Sequence, residues 1–298
     1  MAKRGQEERD TGAGFGFALT AYFLWGFLPL YMKLLDHIPA PEIVVHRVIW
    51  SIPVAGLVLI VLRRTGDLLA AFRNPAMLGM ALVTAAIISI NWGIYVWAIT
   101  AERAVDAALG YFINPLFSVF LGAVLLKERL EIAQILAIGL ASIAVLILVT
   151  RAEEIPWAAF GLTLTWGFYA FFKRSLPIGP NQGFMLEVLI LSPFAFGYFL
   201  YLTATGETHF GGSMRDMLLL IGTGIATAVP LMIYANGAKR LRLSTIGILQ
   251  YVAPTMIFAT AVFIFDEPFG SARALAFPLI WAALAIYSWS MLSQARRK

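Results

Sequence analysis

The chain contains no cysteine, which removes disulfides, zinc–thiolate centres and thiol nucleophiles together. Charge is scarce as well. Asp, Glu, Lys and Arg supply 13% of 298 residues, with 3 histidines, where a soluble domain carries about a quarter charged residues. No G-x-x-x-x-G-K-[ST] loop occurs, so ATP is not hydrolysed by that route. HExxH and G-x-S-x-G are also missing, and no carboxylate or histidine cluster has metal-ligand spacing. No catalytic set, metal or cofactor is therefore expected. Work done on a solute has to draw on a gradient.

What the chain has instead is apolar length. Apolar types make up 60% of it, and the mean hydropathy is +0.81. A soluble protein cannot hide that much apolar surface, whereas a bilayer can. Ten apolar stretches are read, at 13–32, 42–62, 77–99, 108–126, 132–149, 156–172, 183–204, 217–237, 243–265 and 274–292. Each is near the roughly 20 residues that cross a hydrocarbon core of about 30 Å. The connecting segments are too short to be folded domains. Although Lys3, Arg4 and Arg9 precede the first stretch, it is too long for a signal peptide and lacks a small-residue cleavage pattern, so a retained helix is expected.

The net charge of +5 does not point to nucleic acid, because the basic residues sit in small clusters between apolar runs. With the N-terminus in the cytoplasm, only Lys33, Arg103, Arg151, Arg215 and Arg273 face the other side, and Arg47 lies inside a span. The remaining Lys and Arg face inward, which is the positive-inside signature of an inner-membrane protein with both termini cytoplasmic.

A repeat is visible. Trp25-Gly26 recurs as Trp166-Gly167 at an offset of 141. Tyr95 and Arg103 recur as Tyr234 and Arg242, and Pro115 and Glu128 as Pro254 and Glu267, at an offset of 139. Residues 13–149 and 156–292 thus read as two similar five-helix units. Five is odd, so the second unit enters the bilayer from the opposite side. The expected fold is an all-α membrane protein of ten transmembrane helices in two inverted five-helix repeats, an arrangement suited to alternating access.

The same residues carry a family resemblance. Leu24-Trp25-Gly26-Phe27-Leu28-Pro29, His46-Arg47-Val48-Ile49-Trp50-Ser51, Asn91-Trp92-Gly93-Ile94-Tyr95-Val96-Trp97-Ala98 and Leu109-Gly110-Tyr111-Phe112-Ile113-Asn114-Pro115-Leu116 resemble the RarD subgroup of EamA transporters. Gln250-Tyr251-Val252-Ala253-Pro254-Thr255 and Ile280-Trp281-Ala282-Ala283-Leu284 do so too. The resemblance spans roughly 13–292. It implies a secondary transporter of the drug/metabolite superfamily with two EamA repeats, and it leans towards export of a small metabolite.

Ionisable residues at membrane depth cost about 2.5–3.5 kcal/mol on insertion scales, so each needs a reason. His46 and Arg47 in the second span and Glu187 in the seventh stand out, and His46 and Glu187 are mates at the offset of 141. They are expected near opposite ends of a pathway, lining its vestibules, with His46 or Glu187 able to couple protons. The plainer reading has Arg47 and Glu187 reaching to nearby loops and His46 bonding a backbone carbonyl. A second group is aromatic and amide-rich: Asn91, Tyr95, Tyr111, Asn114, Gln250 and Tyr251 are candidates for the substrate pathway, with Pro115 and Pro254 as helix breaks that free carbonyls. Against this, aromatics form interfacial belts and amides bind helix to helix; Trp97 is read as a belt residue. Gly12 and Gly16 are read as a close-packing pair, Lys127-Glu128-Arg129 and Asp266-Glu267 as capped turns, and His209 as solvated in an outside loop.

Together these features favour a secondary transporter for a small organic molecule. A channel or lipid scramblase would show a filter or polar groove. A membrane enzyme would need a nucleophile–base or metal set at one depth. The partners expected are a small-molecule substrate and the lipid bilayer. Ten helices suffice for one pathway, so no oligomer is required.

Overall fold

The computed structural model describes residues 10–100, 104–151, 157–175, 179–264 and 271–296. Lys3, Arg4, Arg9, Arg103, Asp266, Glu267, Arg297 and Lys298 lie outside the described residues. The helices are α1 (Gly12–Gly26), α2 (Leu28–Lys33), α3 (Ala40–Val61), α4 (Thr65–Phe72), α5 (Pro75–Thr100), α6 (Ala104–Val124), α7 (Ile132–Thr150), α8 (Trp157–Ser175), α9 (Pro180–Thr205), α10 (Met214–Ala238), α11 (Leu243–Leu249), α12 (Val252–Phe263) and α13 (Ser271–Arg296). Among the described residues the only β feature is an isolated bridge between Phe210 and Ser213.

Helix interruptions follow backbone donors. Pro29 has no N–H for the Trp25 carbonyl, and the chain breaks between α1 and α2 at Phe27, whose own N–H turns back to Leu24 and Trp25. Pro254 likewise leaves the Gln250 carbonyl to Ala253 N–H at 3.3 Å, and the break between α11 and α12 falls at Gln250–Tyr251. By contrast, α6 runs through Pro115 without interruption. The connecting segment 62–76 holds a helix that sequence reading did not anticipate: α4 packs Ala71 and Leu68 near Leu186 of α9.

Close helix crossings are made by glycines. A methyl on Gly224 would strike the Trp50 backbone where α10 crosses α3, and one on Gly247 would strike the Pro115 carbonyl where α11 crosses α6. Gly12 and Gly16 do not play this part: no atom lies within 4 Å of where their methyls would stand, and Gly14 is the residue pressed against Arg240. The reason is rotational, since the face of α1 that meets α10 carries Gly14 and Ala18. A second seam joins α7 to α13 through Ala137, Ala141 and Ala144 against Ala276, Ile280 and Ala283.

Six helices among the described residues are long and apolar enough to cross a membrane: Gly12–Lys33, Ala40–Val61, Pro75–Tyr95, Ile132–Thr150, Pro180–Thr205 and Met214–Ala238. Shorter apolar helices cover Leu109–Val124, Leu243–Ile257 and Ala274–Ser290. The expected stretch 156–172 falls on α8, which carries Lys173 and Arg174 in its last turn and is not among these. Large side chains such as Leu57, Ile60, Ile132, Phe194, Phe263 and Trp289 point outward. Water would oppose so much exposed apolar surface, whereas lipid does not. The chain is a multi-pass membrane protein.

Candidate functional site

An aromatic cluster occupies the middle of the bundle. Trp25 of α1 and Trp166 of α8, the repeated Trp-Gly positions, meet edge to face with ring centroids 5.6 Å apart. Tyr234 of α10 packs on both, at 5.5 and 5.8 Å, while Tyr22 and Tyr169 extend the cluster. Edge-to-face geometry places a positive ring edge on a negative face and fixes the two helices against each other.

Arg47 lies seven residues beyond the first residue of α3, about 10 Å along the helix axis. Its Nε donates to Thr227 Oγ1 of α10 at 2.9 Å, and its guanidinium stands over the Trp92 ring of α5, 5.3 Å from the centroid. Tyr95 of α5 and Tyr111 of α6 are within electrostatic reach of the same guanidinium. Although both tyrosines sit within helices, they remain 37% and 43% exposed. Arg47 therefore does not reach to a loop. It sits at an aromatic wall built from α5 and α6.

His46, its neighbour, faces elsewhere. The His46 ring is fully buried, stacks on Phe210 at 5.0 Å and accepts from Trp50 Nε1 at Nδ1, 3.1 Å away. It does not bond a backbone carbonyl, and its Nε2 lies 4.0 Å from Glu42. Glu42, which sequence reading passed over, is the hub of this corner. It accepts from Thr208 Oγ1 at 2.9 Å, from His209 N at 2.7 Å, and contacts His209 Nδ1 at 2.7 Å. His209 is thus not simply solvated; a buried carboxylate requires donors, and the α9–α10 connection folds in to supply them.

Glu187 is also paired. Its Oε1 lies 2.7 Å from Lys173 Nζ, and Tyr169 OH donates to Oε2 at 3.1 Å, all three side chains being buried. Lys173 leans over the Tyr169 ring, 5.4 Å from its centroid. Glu187 and His46 share no partner.

The amide candidates bind helices to one another. Asn91 donates to the Leu162 carbonyl at 3.2 Å and to Thr165 Oγ1 at 2.8 Å, joining α5 to α8. Gln250 donates to Ser118 at 3.1 Å, and Tyr251, fully buried, donates to the Phe112 carbonyl at 3.1 Å. Asn114 is buried with its Oδ1 lacking a partner among the described residues. Trp97 is 48% exposed, as a belt residue would be.

Another end of the bundle is held by an ionic seam. Glu128 accepts from the backbone N of Leu243 at 2.7 Å and of Ser244 at 3.0 Å, capping α11 from the α6–α7 turn. It is therefore more than a local turn. Arg174 lies 3.7 Å from Glu128 and donates to the Leu241 carbonyl at 2.5 Å. Asp10, just before α1, accepts from Arg242 Nε at 3.1 Å and from Thr245 Oγ1 at 2.7 Å. Desolvation acts most strongly, to lower the Arg242 pKa, but Asp10, Tyr287 and Glu128 together outweigh it and the net shift is upward. Among the described residues no cluster of His, Asp or Glu has a metal-binding arrangement.

Comparison with known proteins places this architecture. Residues 12–150 match the EamA-like transporter family. Protein RarD of Streptomyces exfoliatus is 41% identical, the alignment covering 99% of this chain and 93% of that protein. Uncharacterized transporter YojE of Bacillus subtilis (strain 168) is 37% identical over 97% of this chain and 98% of its own. Protein RarD of Escherichia coli (strain K12) is 36% identical over 98% and 99%. A solved structure titled "Crystal structure of protein" superposes with a TM-score of 0.73 at 21% identity, covering 93% of this chain and 98% of that one.

Proposed function

The chain belongs to the RarD subgroup of the EamA-like transporters and is a membrane transporter, and from that premise we propose that it is a secondary carrier with ten transmembrane helices in two inverted repeats. It moves a small organic metabolite or drug-like molecule by alternating access, as gradient-driven efflux across an inner membrane, with both termini cytoplasmic.

The observation that carries this reading is the way helix contacts exchange. Advance the spans by five and the larger helix contacts find counterparts: α10 on α3 becomes α5 on α9, α1 on α10 becomes α8 on α5, and α6 on α8 becomes α11 and α12 on α1. The pairs that should lie on a two-fold axis (α3 with α9, α6 with α11, α7 with α13) pack on each other. So do the mates Trp25 and Trp166. Two related units about an axis can exchange conformations, which turns one open side into the other.

In this reading Tyr95, Tyr111 and Arg47 line one vestibule, while Asn91, Asn114, Gln250 and Tyr251 border the path and hold its helices. Glu187, buried with Lys173, is the candidate for proton coupling. Glu187→Gln then removes proton-coupled movement.

The absence of cysteine makes the topology directly testable. Gly66 and Glu207 are mates at 141 and both exposed. Single Gly66→Cys and Glu207→Cys variants should react with an impermeant maleimide from opposite sides of the membrane. Reaction from the same side would end the inverted-repeat reading. A stabilisation screen against a metabolite library then supplies a ligand for counterflow, since native-state ligands raise apparent stability. Trans-acceleration distinguishes a carrier from a channel or scramblase.

A further inference from the structure

Among the described residues, the buried carboxylates inside this bundle are matched. Glu42 is held by His209, Glu187 by Lys173, and Glu128 by Arg174 and the α11 amides. Arg47 is held by a neutral hydroxyl and an aromatic face. Among the described residues no carboxylate lies within ion-pair distance of it. Its hydrogen bond uses Nε, so among the described residues the two terminal nitrogens of the guanidinium fork have no hydrogen-bond partner.

From this we infer that Arg47 is the anion-recognition residue of the transport path, and that the substrate is an organic anion whose planar oxyanion head, carboxylate or phosphate, pairs with the fork. The chemistry fits: guanidinium is weakly hydrated and binds such heads through two parallel hydrogen bonds. A cation without a counter-charge is costly in a poorly hydrated site, and an arriving anion relieves that cost. The Trp92 face beside the guanidinium, with the partly exposed Tyr95 and Tyr111 within electrostatic reach, suits an aromatic or apolar body. The corners at Glu42, Glu187 and Glu128 offer no such opening, because each carboxylate already holds its partner. Thr227 holds Nε and thereby orients the fork.

This deepens the carrier reading, but binding can be measured without transport. The protein is purified in a neutral maltoside. Tryptophan fluorescence and thermal stability are followed with indole-3-acetate, phenyl phosphate and the neutral indole-3-acetamide as probes. Wild type should bind an anion about tenfold or more tightly than the amide, a difference of about 1.4 kcal/mol. Arg47→Gln should lose that preference, and Arg47→Lys should keep part of it. Equal binding of anions and amide by wild type overturns the inference, and that comparison needs no variant to fold. Retained preference in Arg47→Gln overturns it too. Competitive displacement of indole-3-acetate by phosphatidylglycerol, with phosphatidylcholine inert, makes the anion a lipid headgroup and overturns the substrate assignment. Anion preference without counterflow of the bound probe counts against the carrier reading alone; counterflow of the amide as fast as the acetate counts against the anion assignment alone.

Discussion

Lysine 173 is the most informative position to remove. Lys173→Met keeps the length and apolar stem of the side chain but withdraws the cation 2.7 Å from Glu187 Oε1. Both side chains are buried, at 5% and 3% exposure, so water cannot replace the lost partner. Breaking a buried pair by removing one member costs about 3–5 kcal/mol, because the other charge stays behind unpaired. That is about two to three and a half orders of magnitude in the folding equilibrium. Removing both charges has a different outcome. Lys173→Met with Glu187→Met leaves only Tyr169 OH without its acceptor, a loss of about 1–3 kcal/mol, against which apolar replacement of such pairs is often neutral or favourable. The double variant should therefore unfold within about 1–3 kcal/mol of wild type, well above Lys173→Met alone. Unfolding in mixed micelles with increasing dodecyl sulfate, followed by tryptophan fluorescence, measures both. A Lys173→Met loss under about 1 kcal/mol, typical of exposed pairs, would refute the reasoning. So would a double variant as unstable as the single one.

Three further outcomes follow from the packing. Gly224→Ala should destabilise by about 1–3 kcal/mol or more, because the α3 backbone cannot retreat, whereas Gly16→Ala, with open space around it, should gain up to about 1 kcal/mol from helix propensity; the same unfolding assay reads both. Glu128→Ala should cost about 1–2 kcal/mol and speed hydrogen exchange at the Leu243 and Ser244 amides, and unchanged exchange there would remove the carboxylate from its capping role. Tyr251→Phe should cost about 0.5–1.5 kcal/mol for the bond to the Phe112 carbonyl, with ligand affinity unaltered if the hydroxyl serves only the helices.

Membrane class, helix positions and family could be read from the residues in order. A bilayer demands a certain apolar length of every crossing segment, and that demand is local, so it is written along the chain as runs such as 42–62 and 132–149. The repeated Trp-Gly pair was legible for the same reason, as identity at a spacing. Partnership was not. Glu42 finds His209 across 167 residues, and Thr227 orients Arg47 across 180. Whether Asn91 faces Thr165 or a cavity depends on the rotation of α5 about its axis. In a soluble helix an apolar stripe records that rotation, but helices bathed in lipid are apolar nearly all round and carry no such mark. Only packing in three dimensions settled which charges were paired, and left Arg47 with none.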